Sequence, residues 1–191
     1  AHFEPGTVVI NLTKTQGAGS LAHEWFHALD NYFARKRTSP IESSAGGSSR
    51  DEAFITYRPE PMYINKKYPT MRETKAEVAR RQIQTGGAPI YAWENWEVDP
   101  AHPKGVRPQV EKAFAELVST LNASPMLQRS VTIDGGKSNG YWSRIIERGA
   151  RSFETYVIAK LADRGARNDF LANVVTLEDF ARAPDRYPYL T

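Results

Sequence analysis

Along the chain, short extended runs alternate with segments in which apolar residues recur every three or four positions. Thr7 to Leu12, TVVINL, is rich in β-branched residues and predicts a strand. Gly17-Ala18-Gly19-Ser20 then supplies a turn ending in a serine suited to cap a helix. From Leu21 to about Arg35, Leu21, Trp25, Ala28, Leu29, Tyr32 and Phe33 recur at helical spacing and predict an apolar face turned to the core. The Ser/Gly-rich run from Ser39 to Glu52 predicts a surface loop suited to a clip site or lid, and Pro59 and Pro61 predict that FITYRPEPMYI stays extended. Thr70 and Glu73 fit a capping box opening a polar, peripheral helix to about Gln84, which Gly86-Gly87 ends.

The second half is read the same way. Ala88 to Pro108 is too proline-rich for regular structure, and its Trp and Tyr residues predict a loop pinned to the core by aromatic rings. Pro108 suits the first turn of a helix whose stripe is Val110, Phe114, Leu117, Val118 and Leu121. A last helix, with Ser143 as its cap, is predicted to run to Arg164 ahead of Gly165. Ile146, Ala150, Phe153, Val157 and Leu161 form its buried stripe, while Glu147, Arg151 and Glu154 share an adjoining strip.

A length of 191 residues suits one domain, residues 1–191, and the N-terminal AHFEPGTVVINL reads as the start of a domain cut from a longer protein. No apolar run approaches the roughly 18 residues of a membrane span, so a membrane-spanning role is excluded. The net charge of +3 is spread evenly, with only the short clusters Arg35-Lys36-Arg37 and Arg80-Arg81, which argues against a nucleic-acid partner. With no cysteine, the fold has neither disulfides nor a thiolate nucleophile, and a zinc ion here can be held only by histidine and carboxylate.

Composition leaves function open, and the stretch LAHEWFHALD narrows it. His23 and His27 stand four residues apart on one helix. Their Cβ atoms are then about 5–6 Å apart, so both rings can turn toward one ion. Glu24 is rotated by about 100° from His23, which suits a general base reaching a metal-activated water better than a ligand. A metzincin would carry Gly and His three and six residues after His27; here those positions are Asp30 and Phe33. His2 and His102 lie at the chain start and in a proline-bounded loop and read as exposed, so the third ligand is expected to be a carboxylate from another helix. Glu147 and Glu154 both qualify, but seven residues of helix separate them by about 10.5 Å, too far for one ion. Glu147 is preferred because Gly149-Ala150 lets its helix approach the metal helix closely. Glu154 is expected to back a ligating histidine or pair with Arg151, and His102 and Asp30 are the remaining alternatives.

The run INLTKTQGAGSLAHEWFHALDNYF, with YWSRIIERGARSFETYVIAKLADRG and NDFL downstream, resembles the zincin metallopeptidase-like domain of large polyvalent proteins from phages and conjugative elements. Glutamate followed by alanine three residues on, Glu147 and Ala150, resembles the third-ligand signature of several gluzincin families. One departure is Ile145-Ile146, where the family pattern has Pro-Thr before the glutamate. The resemblance implies an α+β, zincin-like fold, mainly helical with a small sheet next to the HExxH helix. It further implies a gluzincin-type zinc peptidase within a multidomain protein, a bacterial cytoplasmic setting reached with phage or conjugative DNA, and host proteins or the parent polyprotein as targets. Other domains of that parent are then its natural partners.

The chemistry expected is Zn2+-assisted peptide hydrolysis with Glu24 as general base, a protein or peptide substrate along the TVVINL edge, and Tyr141, ahead of Tyr156, as oxyanion partner. Two other classes compete with it. A catalytically silent zincin-fold scaffold would not need Glu24, and a DNA-handling module would lose binding steeply with salt.

Overall fold

The computed structural model describes residues 1–12, 19–37, 53–57, 62–99, 106–138 and 140–172. The described chain is α+β, about 55% helical, with two small antiparallel sheets. None of its helices is long and apolar enough to cross a membrane.

A hairpin opens the chain. β1 (His2–Glu4) pairs with β2 (Val9–Asn11), Phe3 opposite Ile10. The strand predicted over 7–12 is shorter because Val8 turns the corner with φ +58°, a left-handed conformation that ends the extended run. The hairpin packs on α1 (Leu21–Arg37), so a small sheet does lie beside the helix carrying both histidines.

α1 buries a different face from the one its hydropathy predicts. Trp25 and Tyr32, assigned to the apolar stripe, are 54% and 51% exposed. The buried face is Ala22, His23, Glu24, Phe26, His27, Asp30, Asn31 and Ala34. It has the same three-and-four spacing, but five of its eight members are polar, so a pattern scored on hydrophobicity selects the neighbouring strip. These polar groups are tied to the segment 53–57, which passes across the helix. The Asp30 carboxylate accepts from Thr56 N at 2.9 Å and Thr56 Oγ1 at 2.5 Å, and Asn31 Nδ2 donates to the Ala53 carbonyl at 2.8 Å. Asp30 is 0% exposed, and burial pushes its carboxyl up to about 6 against those bonds.

The middle of the chain corrects three expectations. β3 (Met62–Asn65) is the central strand of a sheet with β4 (Arg72–Thr74) and β5 (Trp96–Val98) at its edges. Arg72 and Glu73 are therefore strand, and the capping box sits four residues later. Thr74 accepts from Glu77 N, and Glu77 reaches back to Thr74 N, opening α2 (Lys75–Gln84). The aromatic stretch after Ala88 is more ordered than its prolines suggest: two single turns, Pro89–Tyr91 and Trp93–Asn95, lead into β5, and Trp96 Nε1 donates to the Ile90 carbonyl. Residues 54–57 form a turn rather than an extended run, and the loop predicted over 39–52 lies outside the described residues.

α3 (Pro108–Ala123) starts at Pro108 as predicted, and α4 (Pro125–Ile133), unread in the sequence, follows after one residue. α5 (Ile145–Ala162) starts after Arg144, not at a Ser143 cap. Ser143 instead ties the preceding loop together: its hydroxyl donates to the Lys137 carbonyl and accepts from Gly140 N, and its amide donates to Asp134.

The core lies where α1 crosses α5. Phe26, Ala34, Ile55, Phe114 and Ala150 form one cluster, and Phe3, Phe54 and Ile146 a second. At the crossing a Cβ added to Gly149 would stand 2.9 Å from Phe26 Cε1 and 3.2 Å from Cζ. Phe26 is itself held between Phe114 and Phe153, so its ring has little room to yield. Gly149→Ala gains about 1 kcal/mol of helix propensity and incurs about 1–3 kcal/mol of overpacking. The overpacking should win, lowering the melting temperature by several degrees; an unchanged or higher melting temperature would show that the Phe26 ring gives way freely.

Candidate metal centre

The crossing brings together three donors, two on α1 and one on α5, with 119 residues between His27 and Glu147. His23 Nε2 and His27 Nε2 stand 3.1 Å apart, His23 Nε2 is 3.3 Å from Glu147 Oε2, and His27 Nε2 is 3.6 Å from Glu147 Oε1. All three residues are buried, and among the described residues they form a group that could hold a metal ion.

Why they converge follows from the elements. The four-residue spacing stacks the two imidazoles on α1, ring centroids 4.7 Å apart and nearly perpendicular. Glu147 sits in the first turn of α5, where a carboxylate complements the helix dipole. Gly149, two residues on, removes the side chain that would hold α5 away from α1. The Phe54 ring, 5.6 Å from that of His27, closes one side.

The electrostatics favour deprotonated donors. Burial pushes the His23 imidazole below its ordinary value, against the pull of Glu147. Burial also opposes ionisation of Glu147, but the His23 and His27 imidazoles beside it outweigh that and hold the carboxyl well below the usual range. A His23 imidazole disposed to stay neutral beside an ionised carboxylate suits a divalent cation. The atoms are also poorly satisfied by protein alone. Two Nε2 atoms in contact can share only one proton, and Glu147 Oε2 has no hydrogen-bond partner among the described residues.

Around this group lie the other residues singled out from sequence. Glu24 is buried directly after His23. Glu154 is buried one heptad below Glu147; its Oε2 is 3.9 Å from His23 Nδ1 and accepts from Arg151 Nη1 at 3.0 Å. Burial pushes its carboxyl up, Arg151 pulls it down, and the charge of Glu24 adds to the upward push. The Tyr141 ring is half exposed, with its hydroxyl 3.5 Å from Arg151 Nη2. Burial and the negative charge of Glu147 push its pKa up, so it stays a protonated donor. Asp30 is committed to Thr56 and is not part of the group. Tyr156 is exposed and packs against Phe153 and Lys160, His2 is exposed and bonded to Glu4, and His102 lies outside the described residues.

Sequence reading missed two supports. Arg148, buried beside Glu147, donates from Nε to the Ser143 carbonyl, from Nη1 to the Leu121 carbonyl and from Nη2 to Asn122 Oδ1, locking the end of α3 to the start of α5. Asp134 accepts from Trp142 N and Ser143 N and so shapes the loop that presents Tyr141. Spacing offered no signal for the first, since Arg148 lies off the apolar stripe of its helix; the second depends on a loop geometry that spacing does not encode.

No curated protein and no solved structure matches the chain. Residues 133–191 match the family model described as Large polyvalent protein-associated domain 1. That segment holds Tyr141, Glu147, Arg151 and Glu154 and excludes the helix of His23, Glu24 and His27. The C-terminal part of the chain is thus similar to a domain associated with large polyvalent proteins, in keeping with that part of the resemblance read from the sequence.

Proposed function

We propose that this chain is a zinc-dependent metallopeptidase of the zincin type, with His23, His27 and Glu147 as ligands and Glu24 as general base. The observation that carries the reading is the spacing of the three donors. Tetrahedral zinc with bonds of about 2.0–2.1 Å needs ligand atoms about 3.3–3.4 Å apart. The separations of 3.1, 3.3 and 3.6 Å bracket that value. Three protein ligands also leave a fourth position open, the pattern of catalytic rather than structural zinc.

Zinc bound here would act as a Lewis acid and lower the pKa of a coordinated water toward about 7. Glu24 takes the proton of the attacking water and delivers it to the amine nitrogen as the peptide C–N bond breaks. The Tyr141 hydroxyl, protonated and at the half-exposed rim, supplies a hydrogen bond to the developing oxyanion. A silent scaffold would have no use for a buried glutamate directly after the first ligand, which favours the hydrolytic reading. The similarity of residues 133–191 to a polyvalent-protein-associated domain supports a setting within a large multidomain protein, and on the zinc-peptidase reading its substrates are that parent polyprotein or host proteins in bacterial cytoplasm.

Two measurements test this. Purified protein should hold about one zinc per chain, and His27→Ala or Glu147→Ala should lose it; a wild type that stays empty after refolding with zinc overturns the reading. Glu24→Gln should keep fold and zinc while losing at least about a hundredfold in cleavage of peptide substrates. A zinc-loaded wild type that cleaves no peptide in varied lysates would favour the scaffold instead.

A further inference from the structure

The two histidines differ in what stands behind them. Nδ1 of His27 has no hydrogen-bond partner among the described residues, and its ring meets Phe54. Nδ1 of His23 faces the Glu154 carboxylate at 3.9 Å, too long for a hydrogen bond but within one small side-chain movement, or one bridging water, of making it. Glu154 is only 2% exposed, and its position is fixed from the other side by Arg151 Nη1 at 3.0 Å. Arg151 in turn lies over the Trp142 ring, 5.7 Å from its centroid, and its Nη2 stands 3.5 Å from the Tyr141 hydroxyl. One guanidinium therefore touches the group behind the first histidine and the group at the rim.

We propose that Arg151 and Glu154 are positioning residues of the metal centre, with Arg151 orienting the Glu154 carboxylate to accept the Nδ1–H of His23. This inference rests on the zinc reading above. A carboxylate taking Nδ1–H fixes the imidazole tautomer that leaves the Nε2 lone pair facing His27 and Glu147, and it makes that nitrogen a better donor. The fixed i, i+3 geometry on α5 accounts for the pairing: residues 151 and 154 are neighbours on the helix surface, and the planar fork of Arg151 fits a carboxylate while its stacking on Trp142 limits its rotamers. Among the described residues His27 has no such partner, so His23 is the better-oriented ligand of the two.

The test is zinc affinity by chelator competition, with the visible spectrum of the cobalt-substituted protein as a second readout, on wild type, Glu154→Gln, Arg151→Met, Arg151→Lys and the double variant Arg151→Met/Glu154→Gln. Each of Glu154→Gln and Arg151→Met should weaken zinc about 10–100-fold and alter the cobalt spectrum, with Arg151→Lys recovering part of the loss. The double variant should be no weaker than Glu154→Gln, because Arg151 acts through Glu154. Melting temperatures of the metal-free proteins separate ligand positioning from loss of fold. Wild-type affinity and spectrum in folded Glu154→Gln, or additive losses in the double variant, overturn the proposal while leaving the zinc site standing. A wild type that binds no zinc overturns both.

Discussion

The structure depends on how closely α1 can approach α5. An ordinary helix pair packs at about 8–10 Å, with side chains filling the gap. Here the gap is filled from one side, by Phe26, because Gly149 offers nothing to meet it. That asymmetry sets the distance at which Glu147, on the turn before Gly149, meets His23 and His27, on either side of Phe26. The apolar contact and the polar cluster are therefore one arrangement: the phenyl ring fixes the separation, and the three donors occupy the space it leaves.

Such a cluster is expensive to bury, and the surrounding structure shows how the cost is contained. Asp30, Asn31, Arg148 and Glu154 each enter the interior with defined partners: Thr56, the Ala53 carbonyl, the end of α3 and Arg151. Buried polar groups that are fully bonded restrict alternative packings as well as contributing energy. Three of the buried side-chain atoms without a hydrogen-bond partner among the described residues, Nδ1 of both histidines and Oε2 of Glu147, belong to the His23–His27–Glu147 group, while Asn31 Oδ1 and Ser130 Oγ lie outside it.

The two-histidine spacing was legible from sequence because a helix converts an interval of four into adjacency without help from the rest of the fold. The convergence of Glu147 on the two histidines was legible for a related reason: Gly149 and Ala150 announce a close approach by their size. The buried face of α1 was not legible, since His23, His27, Asp30 and Asn31 read as a solvent face until their partners are known. The β3–β4–β5 sheet escaped for a different reason. Its edge strands have three residues each, too few for an alternation to be seen, and its register is set by contacts between segments far apart in the chain. Ser143 looked like a cap by residue type, but its hydroxyl was already committed to the loop before it.

The end of the described chain returns to the start of α1. The Leu171 carbonyl accepts from Ala22 N at 2.8 Å, and the Phe170 carbonyl from Gly19 N at 3.1 Å, with Asn168 bracing the turn that aims them. Backbone groups that a helix leaves open at its first turn are thus closed by residues nearly 150 positions away. In terms of chain entropy, this clasp makes everything between α1 and α5 a single closed loop. The cost of closing a loop grows only with the logarithm of its length, about 0.6 kcal/mol per doubling. A short connection would have been only slightly cheaper than the long one present, which carries a sheet and three helices. The region between the two site helices can therefore lengthen, shorten or acquire new elements with little entropic effect on the pair that holds the site.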